Sequence, residues 1–342
     1  MGNWDPFTIT FHDLVVDNQI QSDISRPYPF YLAYALEENP DEIGLPDEWF
    51  AEYKWDGIRG QIIIREDQIF VWSRGEELIS DAFPEFQNLI QKIPSGTVLD
   101  GEILAANLSF QDLQTRIGRK NITKSLMEKI PVIFKAYDVL EWQGLDIRSY
   151  PLEQRRQILE SLENLEKSPL IPFKNWEEVA AIRENSKEVK SEGLMLKRKS
   201  SQYQNGRKKG DWWKWKVDPY TIDAVMIYAQ QGHGRRANLF TDFTFAVWDG
   251  DQKLVPFTKA YSGLTDEEFK LITAWVRQNT VEKFGPVRSV RPYYVFELAF
   301  EGIQASSRHK SGIALRFPRI LRWRKDKNIL EANTLEDLKK LL

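Results

Sequence analysis

Lys54-Trp55-Asp56-Gly57-Ile58-Arg59 sets a lysine ahead of an Asp-Gly turn and an arginine, directly after a short apolar and aromatic segment. A lysine amine attacks phosphorus only when unprotonated, so a nucleophilic Lys54 needs neighbouring cations or loss of solvent to bring its pKa down from about 10.4. Arg59 and a bound metal could supply that bias. The plainer reading is a turn between two strands with ordinary surface charges, because Asp-Gly is a common hairpin signal. The motif alone does not decide between them. The chain has no cysteine, which excludes disulfides, thiolate catalysis and zinc sites built on sulfur. His12, His233 and His309 are too scattered for a metal cluster, so any metal should be held by carboxylates.

A composition 42% hydrophobic and 28% charged over 342 residues suits a soluble globular protein with one or two cores, and two domains are expected. No run of eighteen apolar residues is present, and Met1 to Asp5 has neither the basic nor the apolar region of a secretory signal. A cytoplasmic protein with no membrane contact is the expectation. The net charge of −3 argues against a nucleic-acid partner, but the cations cluster. Arg207, Lys208, Lys209, Lys214 and Lys216 crowd one segment; Arg308, Lys310, Arg316, Arg319, Arg322, Arg324, Lys325 and Lys327 crowd another. Trp212, Trp213, Trp215, Phe317 and Trp323 are interleaved with them, and a purely solvated face has no use for such rings.

The elements that must position these groups change character along the chain. From Trp49 to Lys216, strand-like stretches such as Gln61 to Ile64, Ile69 to Trp72, Val98 to Leu104 and Val132 to Leu140 alternate with helical spacing over Asp81 to Ile93 and Pro151 to Leu165. This is an α+β domain. Beyond Asp218 and Pro219, strands dominate: Ile222 to Ala229, Leu239 to Trp248, Leu254 to Ala260, Tyr293 to Phe300 and Ile313 to Trp323. One helix, Thr265 to Phe284, interrupts them, opened by a capping box of Thr265 and Glu268. Five strands and a helix fit a small Greek-key β-barrel of the OB type. The expected boundaries are a segment or linker at 1–24, the α+β domain at 25–218 and the barrel at 219–342, with Val217 to Pro219 as hinge. Phe7, Ile9 and Phe11 alternate like an edge strand.

At this point the chain resembles the covalent nucleotidyltransferases, the superfamily of DNA ligases, RNA ligases and capping enzymes, whose first motif is Lys-x-Asp-Gly-x-Arg. Further motifs arrive in the expected order: Ser73-Arg74-Gly75-Glu76-Glu77, Leu99-Asp100-Gly101-Glu102, Ala136-Tyr137-Asp138-Val139-Leu140, Glu192-Gly193-Leu194-Met195-Leu196-Lys197 and Trp213-Lys214-Trp215-Lys216. Arg316-Phe317-Pro318-Arg319 and Arg324-Lys325-Asp326-Lys327 match the C-terminal motif of DNA ligases. Ser25-Arg26-Pro27-Tyr28-Pro29-Phe30, Tyr228-Ala229-Gln230 and Tyr261-Ser262-Gly263-Leu264 extend the likeness to bacterial ATP-dependent DNA ligases of the B type.

The resemblance implies a nucleotidyltransferase (adenylation) domain followed by an OB-fold barrel. ATP and Mg²⁺ or Mn²⁺ are the implied cofactors, and nicked duplex DNA the partner of a monomer. Lys54 would take AMP from ATP, pass it to the 5′-phosphate of a nick, and release it when the 3′-hydroxyl attacks. Glu52 would read the adenine amino group and Arg59 the ribose, with Arg74 also at the nucleotide and Tyr137 stacked on the base. Glu102 and Glu192, each beside a glycine on an apolar strand, would be oxygen ligands for the metal. Lys214 and Lys216, two apart on a strand, point the same way and could both reach the α-phosphate. Arg324, Asp326 and Lys327 would swing over to orient the β- and γ-phosphates. Arg116, Arg119, Lys120, Arg316 and Arg319 are the candidate DNA contacts, although Gln111 to Lys120 reads equally well as an exposed helix with ordinary charges. An RNA ligase, a capping enzyme and a non-catalytic DNA-binding module are the rival readings. Relatives of the B type carry a helical DNA-binding domain ahead of the catalytic core that this chain lacks, so self-adenylation should be retained and sealing should be weak and salt-dependent. A place with the bacterial nucleoid, in DNA repair, replication or recombination, is implied as well; specific repair partners are not.

Overall fold

Ile62, Ile63 and Ile64 are consecutive and all buried, which a strand achieves only when both of its faces are covered. A computed structural model, describing residues 23–37, 39–106, 110–119, 121–250 and 253–342, shows how. Ile62 and Ile64 enter one apolar cluster with Leu99, Phe134 and Val139. Ile63 enters another with Tyr31, Val98, Leu140, Tyr203 and Trp212. The expected edge strand at Phe7 to Phe11 lies outside the described residues.

The chain divides into two compact units, residues 1–217 and 218–342. The first carries two five-stranded sheets. In one, β2 (Ile58–Arg65) lies between β3 (Gln68–Ser73) and β4 (Thr97–Ala105), and β4 pairs in turn with β5 (Val132–Trp142), all antiparallel. In the other, β6 (Ser191–Arg198) lies between β1 (Trp49–Trp55) and β7 (Trp212–Lys216). The Asp56-Gly57 turn therefore carries the chain from one sheet into the other, immediately after Lys54. A Cβ on Gly57 would stand 2.4 Å from the Ile103 carbonyl oxygen and 2.8 Å from Glu102 Cγ, so a glycine is required for this crossover.

Helices α1 (Phe110–Ile117), α2 (Leu152–Glu160) and α3 (Trp176–Glu184) cover the sheets. Leu159 of α2 packs into the Ile62 cluster, and Trp176 and Val179 of α3 pack against Trp49, Leu194, Leu196 and Trp213. Pro151 is the residue before α2, but the helix stops at Glu160 rather than Leu165. The stretch from Asp81 to Ile93 is not a helix of the expected kind. It forms two short 3₁₀ turns, Ser80–Ala82 and Pro84–Leu89, because Pro84 restricts the residue before it and Phe83 leaves helical geometry at φ −135°. Its apolar spacing still serves burial, through Phe83, Phe86 and Ile93.

The second unit is built around β8 (Tyr220–Gln231), which pairs antiparallel with β9 (Phe240–Trp248), β12 (Val287–Val290) and β13 (Val295–Phe300). Strands β10 (Leu254–Ala260) and β11 (Thr280–Phe284) flank β9 and β12. A short hairpin, β14 (Gly302–Ala305) with β15 (Ile313–Arg316), leads to β16 (Arg319–Trp323) against β13. Register shifts at Met226/Tyr228 and Gln230/Gln231 let the long β8 bend. Helix α4 (Asp266–Gln278) starts with the expected capping box at Thr265 and Glu268 and buries Phe269, Ile272 and Val276 in the core. The helix ends six residues before Phe284, which corrects the sequence expectation. Thr280, Val281 and Phe284 favour a strand, and Gly285 at φ +56° turns that strand onto β12.

Candidate active site

Strand alternation determines which side chains of the first unit meet. Glu52 and Lys54 project from β1, Arg59 from β2, Glu102 from β4, Tyr137 from β5, Lys197 from β6, and Lys214 and Lys216 from β7. All eight line one cavity of about 270 Å³, together with Arg74, Arg207 and Trp212.

Glu192 anchors the cationic end. Lys54 Nζ donates to Glu192 Oε2 at 2.6 Å, and Lys216 Nζ lies 3.4 Å from the same oxygen. Gly193 makes this reach feasible: at φ +134° it forms a bulge in β6, and a Cβ there would meet the Trp215 carbonyl oxygen at 2.3 Å. Burial holds Lys214 below the ordinary lysine range, and Arg207, Lys216, Lys54 and Arg74 add to the effect. Burial likewise pushes the Glu102 carboxyl up to about 8 despite the pull of Lys54 and Arg59, with Asp100 and Glu192 reinforcing the rise.

The opposite end is aromatic and partly neutralised. Arg59 donates to both oxygens of buried Asp100, at 3.1 and 2.7 Å, and to the Tyr31 carbonyl at 2.7 Å. Its charge is compensated locally by Asp100. Its guanidinium also faces the Tyr137 ring at 5.7 Å. Lys197 Nζ lies 4.2 Å from the centre of the Tyr137 ring and 4.6 Å from that of Trp212, and donates to Glu52 Oε1 at 3.1 Å.

Asp100 and Lys197 were not singled out from sequence, although each carried a signal. Asp100 is two residues before Glu102 on the same strand, and Lys197 directly follows the apolar Leu194-Met195-Leu196 run. Arg207 was noted only as part of a basic run, and it lines the cavity.

Other candidates do not join this cavity. Arg116 is a correction: it is fully buried, paired with Glu85 and donating to the Ala82 and Ile130 carbonyls, so it holds α1 in place and cannot face DNA. Arg119 is exposed, and Lys120 lies outside the described residues. Trp212 and Trp213 are buried, so their interleaving with cations reflects core packing; Phe317, by contrast, is 64% exposed beside Arg316. Arg319 pairs with Glu301 at 3.0 Å. Within the second unit Arg324 grips Asp326 at 2.7 Å and Asp223 at 3.0 Å, and Lys327 reaches Asp223 at 2.6 Å. Asp223 lies within a strand and was missed because nothing in its neighbourhood marks it. No helix among the described residues is long and apolar enough to cross a membrane.

Residues 33–216 match the family described as ATP dependent DNA ligase domain, and residues 236–327 the ATP dependent DNA ligase C terminal region. A probable DNA ligase of Koribacter versatilis (strain Ellin345) is 35% identical over 91% of this chain and 59% of its own length. A DNA ligase of Archaeoglobus fulgidus is 33% identical over 94% of this chain and 60% of its own. The chain thus spans about three fifths of these two relatives. Among solved structures, one from a structure-function analysis of Lig E DNA ligases superposes with a TM-score of 0.63 at 18% identity, covering 87% of this chain and all of that one. That likeness shows the fold: a nucleotidyltransferase domain and an OB-fold domain. With the match to the ATP dependent DNA ligase domain extending from β1 through β7, the chain belongs to the ATP-dependent DNA ligase family.

Proposed function

We propose that this protein seals nicks in duplex DNA through an AMP carried covalently on Lys54. The observation that carries the reading is the Lys54 amine inside a cavity, 2.6 Å from Glu192 and beside Lys214 and Lys216. Lys54 attacks the α-phosphorus of ATP, a P–N bond forms, and the P–O bond to pyrophosphate breaks. Glu192 stands where it can accept the ammonium proton that must leave first. Lys214 and Lys216 neutralise the charge that builds on the phosphoryl oxygens, the dominant requirement of such transfers. The AMP then moves to the 5′-phosphate at a nick, and the 3′-hydroxyl displaces it.

Glu52, Lys197 and Tyr137 form the end suited to a nucleobase, with a flat ring and a carboxylate acceptor. Arg59, fixed by Asp100, and exposed Arg74 lie between base and phosphates in this reading. A divalent cation fits the donor set in part. Glu102 and Glu192 would supply two carboxylates, and a bound Mg²⁺ or Mn²⁺ would complete its shell with phosphate and water oxygens. Such an ion would shield the triphosphate and polarise its phosphorus. Asp223 holds Arg324 and Lys327 ready as a preformed cationic group for phosphate.

The test is sealing of a nicked DNA duplex by the wild type and by Lys54→Ala, with nicked RNA and hybrid duplexes alongside. Sealing of DNA by the wild type alone is expected. Sealing retained by Lys54→Ala, or confined to RNA, would overturn the reading.

A further inference from the structure

Behind the nucleobase end of the cavity stands a buried cation with one nitrogen that makes no hydrogen bond. Arg156 of α2 is 4% exposed. Its Nε donates to Glu160 at 2.7 Å and its Nη2 to the Ser168 carbonyl at 2.6 Å, so the guanidinium is fixed in place. The third nitrogen, Nη1, is buried, makes no hydrogen bond and faces Glu52 as an ion pair, 4.0 Å from Oε2. An unmade hydrogen bond on a buried guanidinium is costly enough to need a reason.

We propose that Arg156 is a positioning residue that aims the Glu52 carboxylate into the cavity and so sets the preference for a purine with an amino group at C6. The inference rests on the reading that this end takes the base of ATP. Glu52 is 2% exposed and flanked by two cations, with Lys197 on Oε1 and Arg156 facing Oε2. Such a carboxylate presents acceptors only, and its complement is a donor such as an exocyclic amine. Ser168 ties the frame to the rest of the site: its hydroxyl accepts from Trp55 Nε1, next to Lys54, at 2.9 Å, and its N–H donates to the Ala136 carbonyl, next to Tyr137, at 2.8 Å. Glu52 is then the member that moves. A small tilt closes the gap to Nη1 as the amine docks on the carboxylate.

The experiment measures the rate of covalent self-labelling, as KM and kcat, with ATP and with purine riboside triphosphate, which lacks the amino group. Glu52→Gln should lower the ATP preference by on the order of tenfold. Arg156→Met should lower it comparably, through KM for ATP, and leave the analogue unaffected; Arg156→Lys should lower it part of the way. Should Arg156→Met fail to fold by circular dichroism, the ratio for Arg156→Lys decides in its place. A proportional loss with both nucleotides in the Arg156 variants, beside a changed ratio in Glu52→Gln, overturns the role of Arg156 alone. An unchanged ratio in Glu52→Gln overturns the base reading and this inference with it, as does a wild type that takes no label.

Discussion

Glu192 serves two ammonium groups at once, Lys54 and Lys216, and that sharing leaves Lys214 as the cation with burial and four positive neighbours against it. Its folded pKa lies below its unfolded one, so the folded protein binds that proton less tightly and gains stability as pH rises through the interval between them. Phosphate favours the charged amine. Affinity for pyrophosphate should therefore fall with rising pH earlier than an ordinary lysine would allow, and Lys214→Arg, which stays charged, should remove the early fall; calorimetric titrations across alkaline pH check this. Arg116→Met makes the opposite kind of prediction. Loss of a buried partner to Glu85 should cost about 3 kcal/mol in urea unfolding and leave the salt dependence of DNA binding unchanged. Lys54, Glu102, Glu192 and Lys214 were legible because motif letters mark them. Lys197, Asp100 and Arg156 were not, because a partner distant in the chain defines each: Lys197 with Glu52 across 145 residues, Asp100 with Arg59 across 41.

The bulge at Gly193 shows what an element contributes that its residues do not. The flanking strands β6 and β7 are in register from Gly193 to Lys197, but between Ser191 and Leu194 the pairing with β1 slips, and Glu192 lies within that slip. Gly193→Ala would drive a methyl into the Trp215 backbone and force a residue into a conformation reserved for glycine. The expected outcome is a melting temperature several degrees lower and self-labelling slowed by on the order of a hundredfold, because displaced groups lose their orientation; wild-type behaviour would show that the bulge is not what aims Glu192. Strands with apolar alternation were readable, as were the start of α4 and its capping box. The 3₁₀ turns around Pro84 and the strand Thr280–Phe284 were not, since a helical period is cheap to imitate over a dozen residues and the pairing of β11 with β12 decides the second case.

Each unit is organised around apolar clusters of its own. Phe243, Phe245, Phe296 and Phe300 draw the second unit together from its own strands. Residues 218–342 expressed alone should therefore show near-ultraviolet dichroism when folded and lose it in one cooperative transition, and a non-cooperative melt would contradict that expectation. The change of composition after Asp218 made this division visible in sequence, whereas net charge was misleading at the same scale. A total of −3 conceals a cavity lined by Lys54, Arg74, Arg207, Lys214 and Lys216. In the proposed reaction one amine among these captures an adenylyl group. Mass spectrometry of peptides from protein incubated with ATP and Mg²⁺ tests it directly. The mass of one adenylyl group is expected on the peptide holding Lys54 and not in Lys54→Ala; an unmodified Lys54, or the group on another lysine, would overturn the assignment.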